Sequence, residues 1–355
     1  MHKNNFDFLR LVFAICVIIT HSYALSGEEE FDWLYQLTAG QVKFSTLGVS
    51  GFFIISGYLI FESFTRSDTL KSYFFKRALR IYPALLVVLI LTLLLGSFVT
   101  TKGLASYLYS RSFWTYVPKN LFLFANLQYS IDGVFESNPY PSAINGSLWT
   151  IPYEVFFYMV LATFFFIKHK PKAIPSCLIV LYILLLFATI YFTTNLVQYS
   201  IPRIGLELHQ ISRLGVFFSA GSILAAIKFK RFRYRQSLLL FSVIILGVSF
   251  ILGQFLFVQY IILPIVVISI GLKSTRPFAD VSTIVGDLSY GLYLYSFPVQ
   301  QTLMYYFDFD SFALLCYTLP ITGFMAFLSW NLIEKPALKY KLDINRRKPD
   351  LLVSD

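Results

Sequence analysis

Apolar residues run in blocks of about 20 along this chain, broken by short polar segments. The blocks are continuous and do not alternate, so they predict membrane-spanning α-helices and argue against a membrane β-barrel. The length rule places spans at 7–25, 45–64, 81–100, 147–167, 174–193, 211–227, 237–252, 256–272, 285–304 and 312–332. The expected fold is all-α: a polytopic integral membrane bundle of about ten helices. Residues 1–336 form its transmembrane domain, and residues 337–355 a short basic cytoplasmic tail.

Composition agrees: 57% of residues are hydrophobic, 19% aromatic and only 14% charged. The formal charge of +10 invites a nucleic-acid reading, but its distribution argues otherwise. With the N-terminus in the cytoplasm, six of the 29 Lys and Arg fall outside: Lys43, Lys102, Arg111, Lys119, Arg203 and Arg213. The other 23 fall inside, so both termini are expected in the cytoplasm and the basic partners are lipid headgroups. The expected location is the inner (plasma) membrane. Ala24 and Ser26 loosely resemble a signal cleavage site, but Asp7, Arg10 and His21 interrupt the segment and argue for a retained helix. Cys16, Cys177 and Cys316 lie in apolar spans without metal-ligand spacing and read as packing residues. Neither a metal nor a tightly bound cofactor is expected. Segment 101–146 is long and too aromatic for a disordered linker; its expected place is along the outer surface, covering a site.

Candidate chemistry begins in the first span. Arg10 and His21 have ten residues between them, about three helical turns, so they share a face about 16 Å apart. Ionisable groups inside a membrane are costly and usually functional. Glu154 lies in the fourth span, about 10 Å below its outer end, and reaches His21 if the two helices are neighbours. A carboxylate there would fix the imidazole tautomer; its plainer alternative is a packing carboxylate tied to hydroxyls. At the cytoplasmic face Arg77 and Arg80 share a helix side and suit bidentate phosphate binding, or equally serve as positive-inside anchors. Gly48, Gly51 and Gly57, with Ser50 and Ser56, permit close helix approach.

The order of NNFDFLRLVFAICVIITHS, GVSGFFIISGYLI, FFKRALRIYPALL, NGSLWTIPYEVFFY, LSYGLYLYSFPV and the closing IEKP resembles the membrane-bound acyltransferase 3 family over almost the whole chain. Arg10 and His21 match the family's Arg, ten residues, His pattern; Arg77 and Arg80 match its Arg-x-x-Arg; Glu154 matches its acidic residue after the Ser-Leu-Trp opening. Two departures stand out. Tyr153 occupies a place that is often acidic, and Ser296 one that is often His. The resemblance implies transfer of an acyl group, most often acetyl from acetyl-CoA, to a hydroxyl of a surface polysaccharide, lipopolysaccharide or lipid-linked glycan precursor. It implies His21 and Glu154 as catalytic, and Arg10, Arg77 and Arg80 as binding the acyl-CoA. Ser56, Tyr58, Trp149, Tyr153 and Tyr290 are candidates for lining the substrate cavity. Without a fused hydrolase-like domain in this sequence, the transfer is expected to finish on this chain or on a separate protein. A transporter or flippase for a lipid-linked sugar is the alternative, since it too needs intramembrane charge and a cavity.

Overall fold

The structure is a computed structural model that describes residues 4–29, 31–196, 199–276, 278–280 and 286–346. Its helices are α1 (Phe6–Leu25), α2 (Trp33–Leu37), α3 (Phe44–Thr65), α4 (Leu70–Val99), α5 (Leu104–Tyr109), α6 (Arg111–Phe122), α7 (Ile151–Ala162), α8 (Ala173–Asn195), α9 (Leu208–Ala226), α10 (Arg235–Ile251), α11 (Phe255–Gly271), α12 (Ser289–Tyr306), α13 (Ser311–Ser329) and α14 (Lys335–Arg346). A 3₁₀ turn, Gly146–Thr150, leads into α7, and a π turn, Trp330–Glu334, joins α13 to α14. Among the described residues strand pairing is limited to isolated bridges.

Among the described residues six stretches are long and apolar enough to cross a membrane: Phe6–Leu25, Phe44–Thr65, Leu70–Val99, Gly146–Ile167, Ala173–Asn195 and Ser311–Tyr340. The other four expected spans coincide with α9 to α12, which fall short in length or apolarity. The start of the expected span at 285 lies outside the described residues, as does the tail beyond 346. The polar content of α9 and α12 points inward. Gln300 donates to the Ile18 carbonyl at 3.2 Å and to Ser22 Oγ at 2.8 Å. Ser222 donates to the Gly57 carbonyl at 3.1 Å. Such groups are tolerated at membrane depth because protein, not lipid, surrounds them. The outward faces are apolar: Leu184 and Phe187 on α8, Phe241 and Ile244 on α10, and Phe312 and Phe324 on α13 are all exposed. An exposed apolar girdle of this extent is a lipid-facing surface. Cys16 is buried, whereas Cys177 and Cys316 are exposed on α8 and α13 and do not pack in the core.

The centre of the bundle is α3, packed on α9 and α1. Glycine makes this approach possible. A Cβ on Gly57 would lie 1.9 Å from the Phe218 carbonyl oxygen, and one on Gly221 would lie 2.1 Å from that of Ile54. Backbone cannot yield as a side-chain tip can, so Gly221→Leu is expected to cost about 1–3 kcal/mol or more. Detergent-solubilised protein should lose its monodisperse size-exclusion peak. Gly247→Ala is the control: no atom lies within 4 Å of its added Cβ, and the helix should gain slightly.

Hydrogen bonds sort the connections into two ends. Lys168 reaches the carbonyls of Phe64 and Ser67, and Asn5 that of Ile270, which gathers the basic loops at one end. At the other end Asp32 accepts from Thr20 and Phe44, Glu28 from Ser311, and Asn138 donates to Gln301. Segment 101–146 folds over that second end with Tyr107, Tyr116, Val134, Phe135 and Ile144 fully buried. It is an ordered cover whose buried side chains join the core of the bundle.

Candidate active site

Three helices bring their ionisable residues to one cavity at the basic end. Asp7 and Arg10 come from α1, and Lys76, Arg77 and Arg80 from the first turns of α4. Glu154 comes from the start of α7. The cavity holds about 420 Å³, within the range of small-molecule sites. Ser56, Leu59 and Ile60 of α3, Thr150, Tyr158 and, from α12, Tyr290 and Tyr293 complete most of the wall.

The charges are unevenly satisfied. Asp287, just before α12, accepts from Arg10 Nη2 at 2.8 Å and Arg80 Nη2 at 2.6 Å. Ser289 Oγ donates to its other oxygen at 2.7 Å. Asp7 is a second partner of Arg10, and Glu334 Oε2 lies 3.7 Å from Arg80 Nη1. Arg10 and Arg80 are therefore fastened among three carboxylates. Arg77 is not. Its Nη2 donates to Ser63 Oγ at 3.2 Å and its guanidinium lies 5.9 Å from the Tyr158 ring centre. Among the described residues no carboxylate pairs with Arg77, and its buried Nε has no acceptor. Lys76 donates to Ser67 Oγ at 3.1 Å. A pair of cations on a cavity wall, with no carboxylate salt bridge among the described residues, can receive an anionic ligand.

Glu154 sits deeper. Its Oε1 accepts from Ser56 Oγ at 3.2 Å and from Tyr158 one turn along. Above it Thr150 and Tyr293 share a hydroxyl hydrogen bond of 2.7 Å that closes this part of the wall. Tyr290 donates to the Ile81 carbonyl at 3.1 Å and lies under Arg80, 5.7 Å from ring centre to guanidinium.

His21 is placed differently. It is half-buried near the other end of α1, and its ring meets Phe297 edge-on at 5.4 Å. The residues lining the cavity do not include it. Phe297 is one turn beyond Tyr293 on α12, so the ring that meets the imidazole follows a cavity-lining residue on the same helix. The structure thus brings together Arg10, Arg77, Arg80, Glu154, Ser56 and Tyr290, and leaves His21 outside the cavity lining.

The remaining candidates lie elsewhere. Tyr58 is buried with its ring 5.6 Å from that of Phe6. Trp149 and Tyr153 line a second cavity of about 290 Å³ at the opposite end, with Tyr129, Glu207 and Gln210. The split follows helical spacing. Thr150, Ile151 and Glu154 face the first cavity, while Trp149, Pro152 and Tyr153 face the second. The sequence reading did not single out Asp287 or Glu334, the carboxylates that fix the arginines.

Comparison with known proteins bears on the chemistry. The family model for acyltransferase 3, described as an acyltransferase domain, matches residues 3–334. An O-acetyl transferase of Shigella phage Sf6 is 31% identical over 344 residues, 94% of this chain and 96% of its own length. Nodulation protein 10 of Rhizobium leguminosarum bv. viciae is 34% identical over 168 residues, 45% of this chain and 43% of its own. The peptidoglycan O-acetyltransferase OatA of Listeria monocytogenes is 26% identical over 159 residues, 41% of this chain and 24% of its own. No solved structure matches the chain.

Proposed function

We propose that this chain, which belongs to the acyltransferase 3 family and is a membrane O-acyltransferase, moves an acetyl group from cytosolic acetyl-CoA to a glycan hydroxyl across the inner membrane. The alternative of a transporter gives way to the enzyme reading because the family and its O-acetyl transferase relative are acyltransferases. The glycan acceptor is inferred from OatA, named for acting on peptidoglycan.

One observation carries the donor assignment: the cavity is lined by Arg10, Lys76, Arg77 and Arg80, and Arg77 has no carboxylate partner among the described residues. Acyl-CoA is a polyanion with a long neutral arm. Its phosphates belong at Lys76 and Arg77, while Arg10 and Arg80 are held by carboxylates on the same wall. The pantetheine arm runs past Ser56 and Glu154, and the thioester carbonyl stops beneath Thr150 and Tyr293. From the opposite end, His21 takes the proton of the acceptor hydroxyl as the oxygen attacks the thioester carbon. The C–S bond breaks, and the departing thiolate takes the proton back from the imidazolium. The products are the glycan ester and CoA thiol. Donor and base meet when the Thr150–Tyr293 bond opens and Phe297 swings aside.

The test uses purified full-length protein in lipid nanodiscs. It should bind and slowly consume acetyl-CoA, and Arg77→Ala should raise Kd about 10- to 100-fold, the value of one charge-assisted phosphate contact. An unchanged Kd returns Arg77 to membrane anchoring. No acetyl-CoA binding by the unaltered protein removes the donor assignment.

A further inference from the structure

We infer that the second cavity is a saccharide-binding subsite, which holds a sugar ring next to the one that is acylated. The inference rests on the glycan reading above only in placing an acceptor at this end of the bundle. The cavity itself argues for a sugar. Trp149, half-buried, meets Tyr153 edge-on at 5.8 Å and offers an aromatic wall on which the C–H face of a pyranose packs. Tyr129 adds a second ring, 38% exposed.

The polar groups are fixed in advance. Gln210 Oε1 accepts from Arg213 Nε at 3.1 Å and from Arg213 Nη2 at 2.9 Å. Both bonds occupy the amide oxygen, so the Gln210 amide presents its NH₂ as the donor. Tyr153 Oη accepts from the Glu207 backbone N–H at 2.9 Å, which leaves its own hydroxyl hydrogen to donate. Glu207, exposed at the rim, supplies acceptors. Donors and acceptors beside aromatic rings match vicinal hydroxyls.

The rim is held as well. Ile201 N–H donates to the Leu206 carbonyl at 2.8 Å, and Gly205 turns with φ +75° where a Cβ would lie 2.3 Å from Asn126 Oδ1. Other ligands fit worse. Among the described residues no Lys or Arg lines the cavity, and Glu207 disfavours an anion. A lipid tail is better served by the third cavity, about 140 Å³ and apolar except for Ser219. At about 290 Å³ the second cavity suits one ring. It is not the reacting ring. The turn Gly146–Thr150 packs Gly146 against Phe297 on the His21 side and turns Trp149 to the cavity, so the turn stands between them. The acceptor is therefore a saccharide of at least two units.

The experiment is saturation-transfer NMR on the full-length protein in nanodiscs, with methyl glucoside, methyl rhamnoside and N-acetylglucosamine as probes. At least one should show transfer to ring C–H protons with a Kd of about 1 mM. Trp149→Ala should weaken it about tenfold, Trp149→Phe should preserve it, and Glu207→Gln should weaken it several-fold. Acetyl-CoA affinity should stay the same in all three. No transfer to any probe at about 20 mM, or transfer indifferent to Trp149→Ala, overturns the subsite. Sugar binding in a protein that ignores acetyl-CoA keeps the subsite and removes the donor reading, so the two fail separately.

Discussion

His21→Ala is expected to lower acyl transfer by about two to four orders of magnitude, the usual worth of a general base. The reason is position. His21 and Arg10 share one stripe of α1, about 16 Å apart, and Arg10 lines the donor cavity while His21 faces the covered end. Phe297, whose ring meets the imidazole, follows Tyr293 of the Thr150–Tyr293 pair by one turn of α12. Phe297 is seated because Gly146 lacks a Cβ, which would lie 2.6 Å from its ring. In the proposed step Phe297 moves aside and the imidazole reaches the reacting carbon. His21 does not line the cavity, so acetyl-CoA affinity and melting temperature should stay near those of the unaltered protein. O-acylation of surface glycan, read by mass spectrometry with membrane abundance checked, should disappear. Added imidazole should restore part of the rate in vitro, a rescue that a purely structural histidine does not give. Full activity of His21→Ala would move the base to Glu154, which already stands on the cavity wall.

The sequence read most clearly where a single helix carries the information. Continuous apolar blocks marked the long helices, and helical spacing placed Arg77 and Arg80 together on α4 beside Arg10. Ser56, Glu154 and Tyr290 likewise reached the cavity. Tertiary contacts were not legible. Asp287 sits in an unremarkable Gly-Asp-Leu stretch, and nothing local shows that it closes on arginines 277 and 207 positions away. The faces of Trp149 and Tyr153 depended on a 3₁₀ turn becoming an α-helix at Ile151, which sets the register. Tyr58 points away from the cavity because α3 presents that side to its neighbours in the core. Of the four helices below the spanning threshold, α9 and α12 carry polar residues that protein surrounds, whereas α10 and α11 are apolar but have 17 residues each.

Asp287→Asn should separate a structural from a donor-binding role for Arg10 and Arg80. In the native protein one carboxylate oxygen takes both guanidinium groups, whose side chains are only 20% and 21% exposed. Removing the charge leaves two cations with Asp7 and Glu334 as the remaining acidic partners. Breaking a buried pair from one side costs about 3–5 kcal/mol, and the surviving acids place this case at about 3 kcal/mol. The melting temperature in detergent should therefore fall by about 5 °C. Ligand binding should move the other way. A unit negative charge on the same cavity wall opposes a bound phosphate by about 1–2 kcal/mol at an effective dielectric of about 20. Salt screening leaves about a tenfold tightening of acetyl-CoA, strongest at low ionic strength. Arg77→Ala changes affinity in the opposite sense, so the two variants bracket the field of the cavity. A destabilised Asp287→Asn protein with unchanged acetyl-CoA affinity would assign Arg10 and Arg80 to holding α1, α4 and α12 together, and leave the phosphates to Lys76 and Arg77 alone.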